Sequence, residues 1–359
     1  MNAAVFYGPN NIRLEQVRVE NLPANNILLE TLACSVCSYD VRTFRNGSFK
    51  VSPPVILGHE ICAKTVNDIE SEKISIKSGT RVSIYPVIPC LCCWYCHNKL
   101  YNLCSNLKEI GSTLNGGFAS YISVPKMLLD IGGLVPVLDG VSDEEASLIE
   151  PLACCINGIN QIKGSSFESA IILGDGPIGV MQSMLLKKYF PKTWVVVCGK
   201  VQHRLDSARK AGADMTYLIN EETQKEENLE RLKASGGEQH SPNLVFVSNN
   251  NPASLGMAAK LANKGGKIVI FSGIKRQDNT QGTKSLIDID ANFIHYSQVS
   301  IHGSFSSNPE NLYEAMGLVQ RKEIDLKALV TSTYPLVKIN NALQTAESFK
   351  GLKSVITKF

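Results

Sequence analysis

Residues 1–140 alternate short apolar runs with clusters of Gly, Pro, Asn and Ser. Ile27–Ala33, Arg81–Val87 and Phe118–Val124 read as strands between turns, which predicts an irregular β-rich region. At Ser142 the texture changes. Ser142 followed by Glu145 is a capping box that opens a helix over Glu144–Ile149. Pro151 is expected to disturb that helix and to bias Glu150 away from helical geometry. From Ser169 onward strands and helices alternate. Ala170–Leu173, Trp194–Cys198, Thr216–Ile219, Leu244–Val247, Lys267–Phe271 and Val299–His302 read as strands, with helices at Pro177–Tyr189 and Arg204–Ala211. This rhythm predicts a parallel, doubly wound α/β sheet. The charged segment Asn220–His240 reads as solvated helix and loop. From about Ala291 the rhythm is lost, and residues 306–359 are expected to pack back on the first domain.

Composition narrows the class. At 359 residues the chain has room for roughly two domains, and 44% apolar residues suffice for a large core. A net charge of +3 argues against a nucleic-acid or membrane partner. The eleven cysteines cluster as metal ligands do, which points to a reducing compartment. The N-terminus lacks a secretory pattern, and no apolar run reaches the ~20 residues that span a bilayer. A soluble cytoplasmic protein is expected.

The densest chemical signal is CLCCWYCHNKLYNLC, in which Cys90, Cys93, Cys96 and Cys104 form C-x2-C-x2-C-x7-C. Four thiolates so close suit a closed tetrahedral zinc site. A ferredoxin-type run would place its last cysteine three residues on and follow it with proline; here Ser105 follows. A zinc-knuckle nucleic-acid module would carry a surrounding basic cluster, and none is present. Structural zinc is therefore predicted, with Cys92 a bystander.

Gly174-Asp175-Gly176-Pro177-Ile178-Gly179 lies directly after a strand and before a helix, the context that makes G-x-G-x-x-G a dinucleotide loop. The helix N-terminus then faces the pyrophosphate. Asp175 is an acid in an anion-binding loop, so its side chain is expected to point away from the phosphates. About twenty residues beyond Gly179, where an acid would bind the adenosine ribose, the chain has Gly199, followed by Lys200, His203 and Arg204. That arrangement predicts NADP in preference to NAD, NAD remaining possible.

Cys37-Ser-Tyr39-Asp40, Gly58-His59-Glu60 and Glu150-Pro-Leu152 each offer a zinc ligand type, and Cys34 stands as an alternative to Cys37. Together with LGHE, YNLC, GGFASY and IEPLA, in this order over essentially the whole chain, they resemble the zinc-dependent medium-chain dehydrogenase/reductases, most of all the polyol branch with sorbitol and galactitol-phosphate dehydrogenases.

The resemblance implies a GroES-like catalytic domain, residues 1–150, with a zinc lobe at 88–106. A Rossmann domain follows at 151–292, and residues 293–359 return to the first domain. It assigns a catalytic zinc to Cys37 and His59, with Glu60 and Glu150 as the acidic residues, one binding zinc directly and the other holding its water or alternating with it. Charge balance at the metal then leaves only one bound during chemistry. Nicotinamide contacts are implied at Phe271, Ser272, Gly273, Ser304, Phe305 and Ser306. Relatives are commonly dimers or tetramers. Where the family has Ser or Thr to start a proton relay, this chain has Tyr39, and near its relay histidine stands Arg42, which cannot act as a base. Either the relay ends elsewhere or Arg42 binds an anionic substrate group such as a sugar phosphate.

The expected protein is a dehydrogenase with two zinc ions per chain, passing hydride between a secondary alcohol or polyol and NAD(P). A threonine 3-dehydrogenase or sugar 1-dehydrogenase on the same scaffold is the alternative. A silent redox-sensing or interaction protein is the alternative from another class.

Overall fold

A computed structural model describes residues 1–18, 25–71, 74–220, 230, 232–233, 242–274 and 289–359. Nearly all of Asn220–His240 lies outside the described residues. The chain forms two units, Met1–Ala153 with Ser306–Phe359, and Cys154–Phe305.

The first unit is built on a seven-stranded sheet centred on Asn26–Ser35. One edge of that strand pairs antiparallel with Glu60–Thr65, setting Ser35 opposite Glu60. Its other edge pairs with Tyr121–Pro125 and, further along, with Lys353–Lys358. The predicted strand Arg81–Val87 stops at Ile84 and resumes as Val87–Ile88, broken at Pro86, which has no N–H for a ladder. The strand predicted at Phe118–Val124 starts later, at Tyr121. The capping box is present: Ser142 Oγ accepts the Glu145 N–H at 3.2 Å, and Glu145 Oε2 accepts the Ser142 N–H at 3.0 Å. The helix that it opens is Asp143–Ser147, and a second helix, Ile149–Asn160, follows after Leu148. Glu150 is therefore helical, contrary to expectation. Pro151 sits in the first turn, where its missing N–H has no intrahelical partner to lose.

The second unit carries a six-stranded parallel sheet: Ser169–Leu173, Trp194–Gly199, Met215–Leu218, Leu244–Val247, Lys267–Ile270 and Ser300–Gly303. Their spatial order is third, second, first, fourth, fifth, sixth, that of a dinucleotide-binding sheet. Ser169–Leu173 and Leu244–Val247 are buried along their whole length, as central parallel strands are. Because Ser300–Gly303 pairs with Lys267–Ile270, the second junction falls at 305/306, later than the 292/293 suggested by the loss of rhythm. The first falls at 153/154, close to the expected 150/151.

Candidate active site and metal centres

In the cysteine lobe the Sγ atoms of Cys90, Cys93, Cys96 and Cys104 all lie within 4.8 Å of one another. The Cys93–Cys96, Cys90–Cys96 and Cys93–Cys104 separations are 3.5, 4.0 and 4.0 Å. Four sulfurs held about 2.3 Å from one zinc would stand about 3.8 Å apart, so the donor set fits zinc. Backbone N–H groups of Cys90 and Asn106 point at Cys104 Sγ. Those of Ser105 and Cys96 pull the Cys93 thiol down to about 5, whereas burial and the neighbouring thiols push Cys96 up to about 12. Cys92 is exposed and lies outside the four-sulfur group, although its Sγ is 3.6 Å from Cys90 Sγ.

A second group assembles Cys37, His59 and Glu60, again with ligand atoms within 4.8 Å of one another. Cys37 caps the helix Ser38–Asn46, and Asp40, three residues in, reaches back to its N–H at 2.9 Å. The other Asp40 oxygen accepts the Gly58 N–H at 3.3 Å and stands 3.5 Å from His59 Nδ1. One fully buried carboxylate thus ties the Cys37 turn to the His59 turn and orients the imidazole. Burial disfavours a charged His59, but Asp40 and Cys37 outweigh it and hold its pKa well above the ordinary value. Cys34 is not part of the group. It is buried, packs towards Gly58 and Gly117, and burial keeps its thiol protonated.

Glu60 is also held from behind. Both its oxygens lie 2.5 Å from Lys353 Nζ, and the Ser35 hydroxyl donates to Oε2. Burial disfavours the Lys353 charge, but Glu60 outweighs it, and the ammonium persists. Glu150 is buried and lies outside the three-residue group, although its charge also acts on Lys353. Only one of the two expected acidic ligands therefore stands with Cys37 and His59.

The Tyr39 ring meets His59 edge-on, 5.8 Å between centroids. Its hydroxyl is 3.0 Å from Ser112 Oγ and 3.3 Å from Ser48 Oγ. Arg42 is exposed and makes no hydrogen bond or ion pair among the described residues.

In the second unit the glycine-rich turn follows Ser169–Leu173 and leads into the helix Pro177–Tyr189, with Gly176 as its N-cap. Gly174 has φ +149°, and a Cβ on Gly179 would meet the Gly174 carbonyl oxygen at 1.8 Å. Gly176 faces open space instead, as an approach to a pyrophosphate requires. Phe271 and Ser272 follow the fifth strand and donate their N–H groups to the Val247 carbonyl. Ser304 follows the sixth, with its N–H on Ile270, and the Phe305 carbonyl accepts from Asn157. These segments leave the carboxyl ends of parallel strands, where ligands bind in such sheets. Lys200 is exposed, but Arg204 is only 5% exposed and does not stand at the surface beside it.

Residues 23–132 match the alcohol dehydrogenase GroES-like domain, and residues 177–321 match the zinc-binding dehydrogenase domain. A sorbitol dehydrogenase of Bacillus subtilis is 30% identical over 98% of this chain and 94% of its own length. The chain belongs to the zinc-dependent medium-chain dehydrogenase/reductase family. A D-arabitol-phosphate dehydrogenase of Enterococcus avium is 27% identical over 92% of this chain and 90% of its own. A zinc-binding dehydrogenase of Sinorhizobium meliloti, solved with NADP bound, superposes with TM-score 0.85 and 25% identity, covering 99% and 98% of the two chains. As a member of this family the protein is an oxidoreductase with the two-domain fold expected for it. No described helix is long and apolar enough to cross a membrane.

Several residues of this dehydrogenase's site carry no sequence signal of their role. Asp40 lies within a quoted motif, and only its contact with His59 shows what it does. Ser35, Ser48, Ser112 and Lys353 belong to no motif. Lys353 is 293 residues from Glu60, and no local pattern links them.

Proposed function

We propose that the protein oxidises a secondary hydroxyl of a polyol or sugar alcohol, or reduces the corresponding ketone, using NAD(P) and two zinc ions per chain. The observation that carries this reading is the convergence of Cys37, His59 and Glu60 beside the Tyr39 ring. The names of the relatives, sorbitol and arabitol-phosphate dehydrogenases, support the substrate class.

Cys37, His59 and Glu60 would hold the catalytic zinc, and the four lobe cysteines the structural one. Zinc held at the first site would supply Lewis acidity to the substrate oxygen, and a bound nicotinamide would supply the hydride acceptor. Asp40 orients His59 for that task. Tyr39 takes the hydroxyl proton and passes it towards Ser112 or Ser48, whose oxygens lie within hydrogen-bond reach. Lys353 balances the charge of Glu60, so Cys37 remains the dominant negative ligand. On the cofactor side, exposed Lys200 after side-chain-free Gly199 favours NADP, and a relative that binds NADP supports that preference. Initial rates on polyols, sugars, sugar phosphates, threonine and simple alcohols, each with NAD and NADP, test the proposal. Turnover confined to polyols and their phosphates is the expected result. Absence of turnover on every alcohol would overturn it.

A further inference from the structure

The strand Trp194–Gly199 ends without a side chain, yet the space beside Gly199 is full. A Cβ on Gly199 would lie 2.2 Å from Asp175 Cβ and 2.3 Å from Asp175 Cγ and Oδ2. Asp175 comes from the glycine-rich loop and bends back over the end of the second strand. There its Oδ2 accepts the N–H groups of Lys200 at 2.6 Å and Val201 at 2.7 Å. Buried Arg204 is within electrostatic reach and favours the carboxylate in this place. Oδ1 has no hydrogen-bond donor among the described residues.

The end of the second strand is where an adenosine ribose is recognised in this kind of sheet. We infer that Asp175 determines cofactor selectivity, supplying from the first loop the ribose-binding carboxylate that the second strand lacks. Oδ1 is placed to accept a ribose hydroxyl, which NAD offers and NADP replaces with phosphate. Oδ2 occupies two amides that could otherwise bind that phosphate, and the carboxylate charge repels it. Lys200 attracts a 2′-phosphate and Asp175 resists it. Both dinucleotides are accepted, and NADP leads only as far as Lys200 outweighs Asp175. The same geometry rules out a simple Gly199→Asp exchange as a route to NAD preference, because the new side chain would collide with Asp175.

This inference rests on the nicotinamide cofactor proposed above, so its test reads binding apart from turnover. NADH and NADPH are titrated separately into the zinc-loaded full chain, following nucleotide fluorescence. Asp175→Ala should weaken NADH and strengthen NADPH, moving the ratio of dissociation constants roughly 10- to 100-fold towards NADPH. Asp175→Asn keeps the shape, should move the ratio the same way, and carries the test if the alanine variant does not fold. Asp175→Gly combined with Gly199→Asp, which also clears the Cβ that would collide and puts the acid back on the strand, should return the ratio towards NADH. An unchanged ratio, or equal weakening of both nucleotides, would overturn the role of Asp175 while leaving the proposed function intact. Binding of neither nucleotide by the unmodified protein would overturn both.

Discussion

Lys353 forms a buried ion pair with Glu60, itself a candidate metal ligand, and the two side chains are 5% and 1% exposed. Removing one partner of such a pair leaves an uncompensated buried charge, at a cost of about 3–5 kcal/mol. Lys353→Met should therefore destabilise the zinc-free protein by about that much. Zinc supplies positive charge to the same carboxylate and should restore part of the loss. Melting temperatures with and without chelator check this: the gap between loaded and stripped protein should widen in the variant. Lys353→Arg should fall between the two. Equal gaps in all three proteins would show that Lys353 does not act through the metal site.

Asp40 sets a pH dependence whose sign can be worked out. In the metal-free protein it raises the pKa of His59 well above the ordinary value. The stabilisation from that pairing is fully present below the unfolded-state pKa of about 6.5 and is lost as pH rises through the raised folded value. Zinc binding needs the neutral imidazole and runs the other way, weakening as pH falls below the raised value. Asp40→Asn should lower zinc affinity in alkaline buffer by about 10–100-fold, because the imidazole loses its orienting carboxylate. With His59 less easily protonated, it should also move to lower pH the point at which zinc affinity begins to fall with acid. Competition titrations with a zinc indicator across the pH range measure both.

Tyr39→Phe should lower turnover by about 10²–10⁴-fold while changing substrate affinity much less, the usual span for a group that moves a proton. Ser112→Ala should give a smaller loss, because Ser48 remains within reach of the phenol. Stopped-flow rates in light and heavy water test this, since a proton in flight gives a solvent isotope effect that Tyr39→Phe should alter. Near-normal turnover in the phenylalanine variant would remove Tyr39 from the relay.

The cysteine lobe makes a separable prediction. Cys96→Ala removes one of four ligands from a half-buried site, and bound metal contributes folding free energy. Its melting temperature should fall by several degrees, with about one zinc lost per chain. Cys92→Ser changes an exposed thiol outside the four-sulfur group and should leave zinc content and stability unchanged. Mild chelation should strip activity before the lobe is emptied. Elemental analysis of each variant provides the count.

What the sequence reveals depends on how far each determinant reaches along the chain. The cysteine lobe spans fifteen residues and the glycine-rich turn six, so residue type and spacing carry their meaning directly. Cys37, His59 and Glu60 are recognisable as ligand types, but spacing does not choose Cys37 over Cys34. Only the family resemblance does so from sequence, and the fold turns Cys34 into the core. Pro151 misleads because a proline signal has opposite meanings at the start and in the middle of a helix. Arg204 reads as a cation near a cofactor 2′-phosphate, yet it shares the inward face of its helix with Leu205 and Ala208. Lys353 and the Asp175–Gly199 contact are illegible for the same reason. Each joins segments brought together only by strand pairing or by a loop folding over a strand end.

The strand Asn26–Ser35 carries Glu60–Thr65 on one edge and Lys353–Lys358 on the other, which gives the metal site a history in time. A ribosome adding about 5–20 residues per second exposes the acid about 15–60 s before the lysine that neutralises it, 293 residues later. Throughout that interval the nascent sheet lacks the strand bearing the counter-charge. Zinc captured early by Cys37, His59 and Glu60 would serve as a temporary substitute for Lys353. Metal supply during synthesis would then govern the yield of folded chain as well as the activity of the finished one.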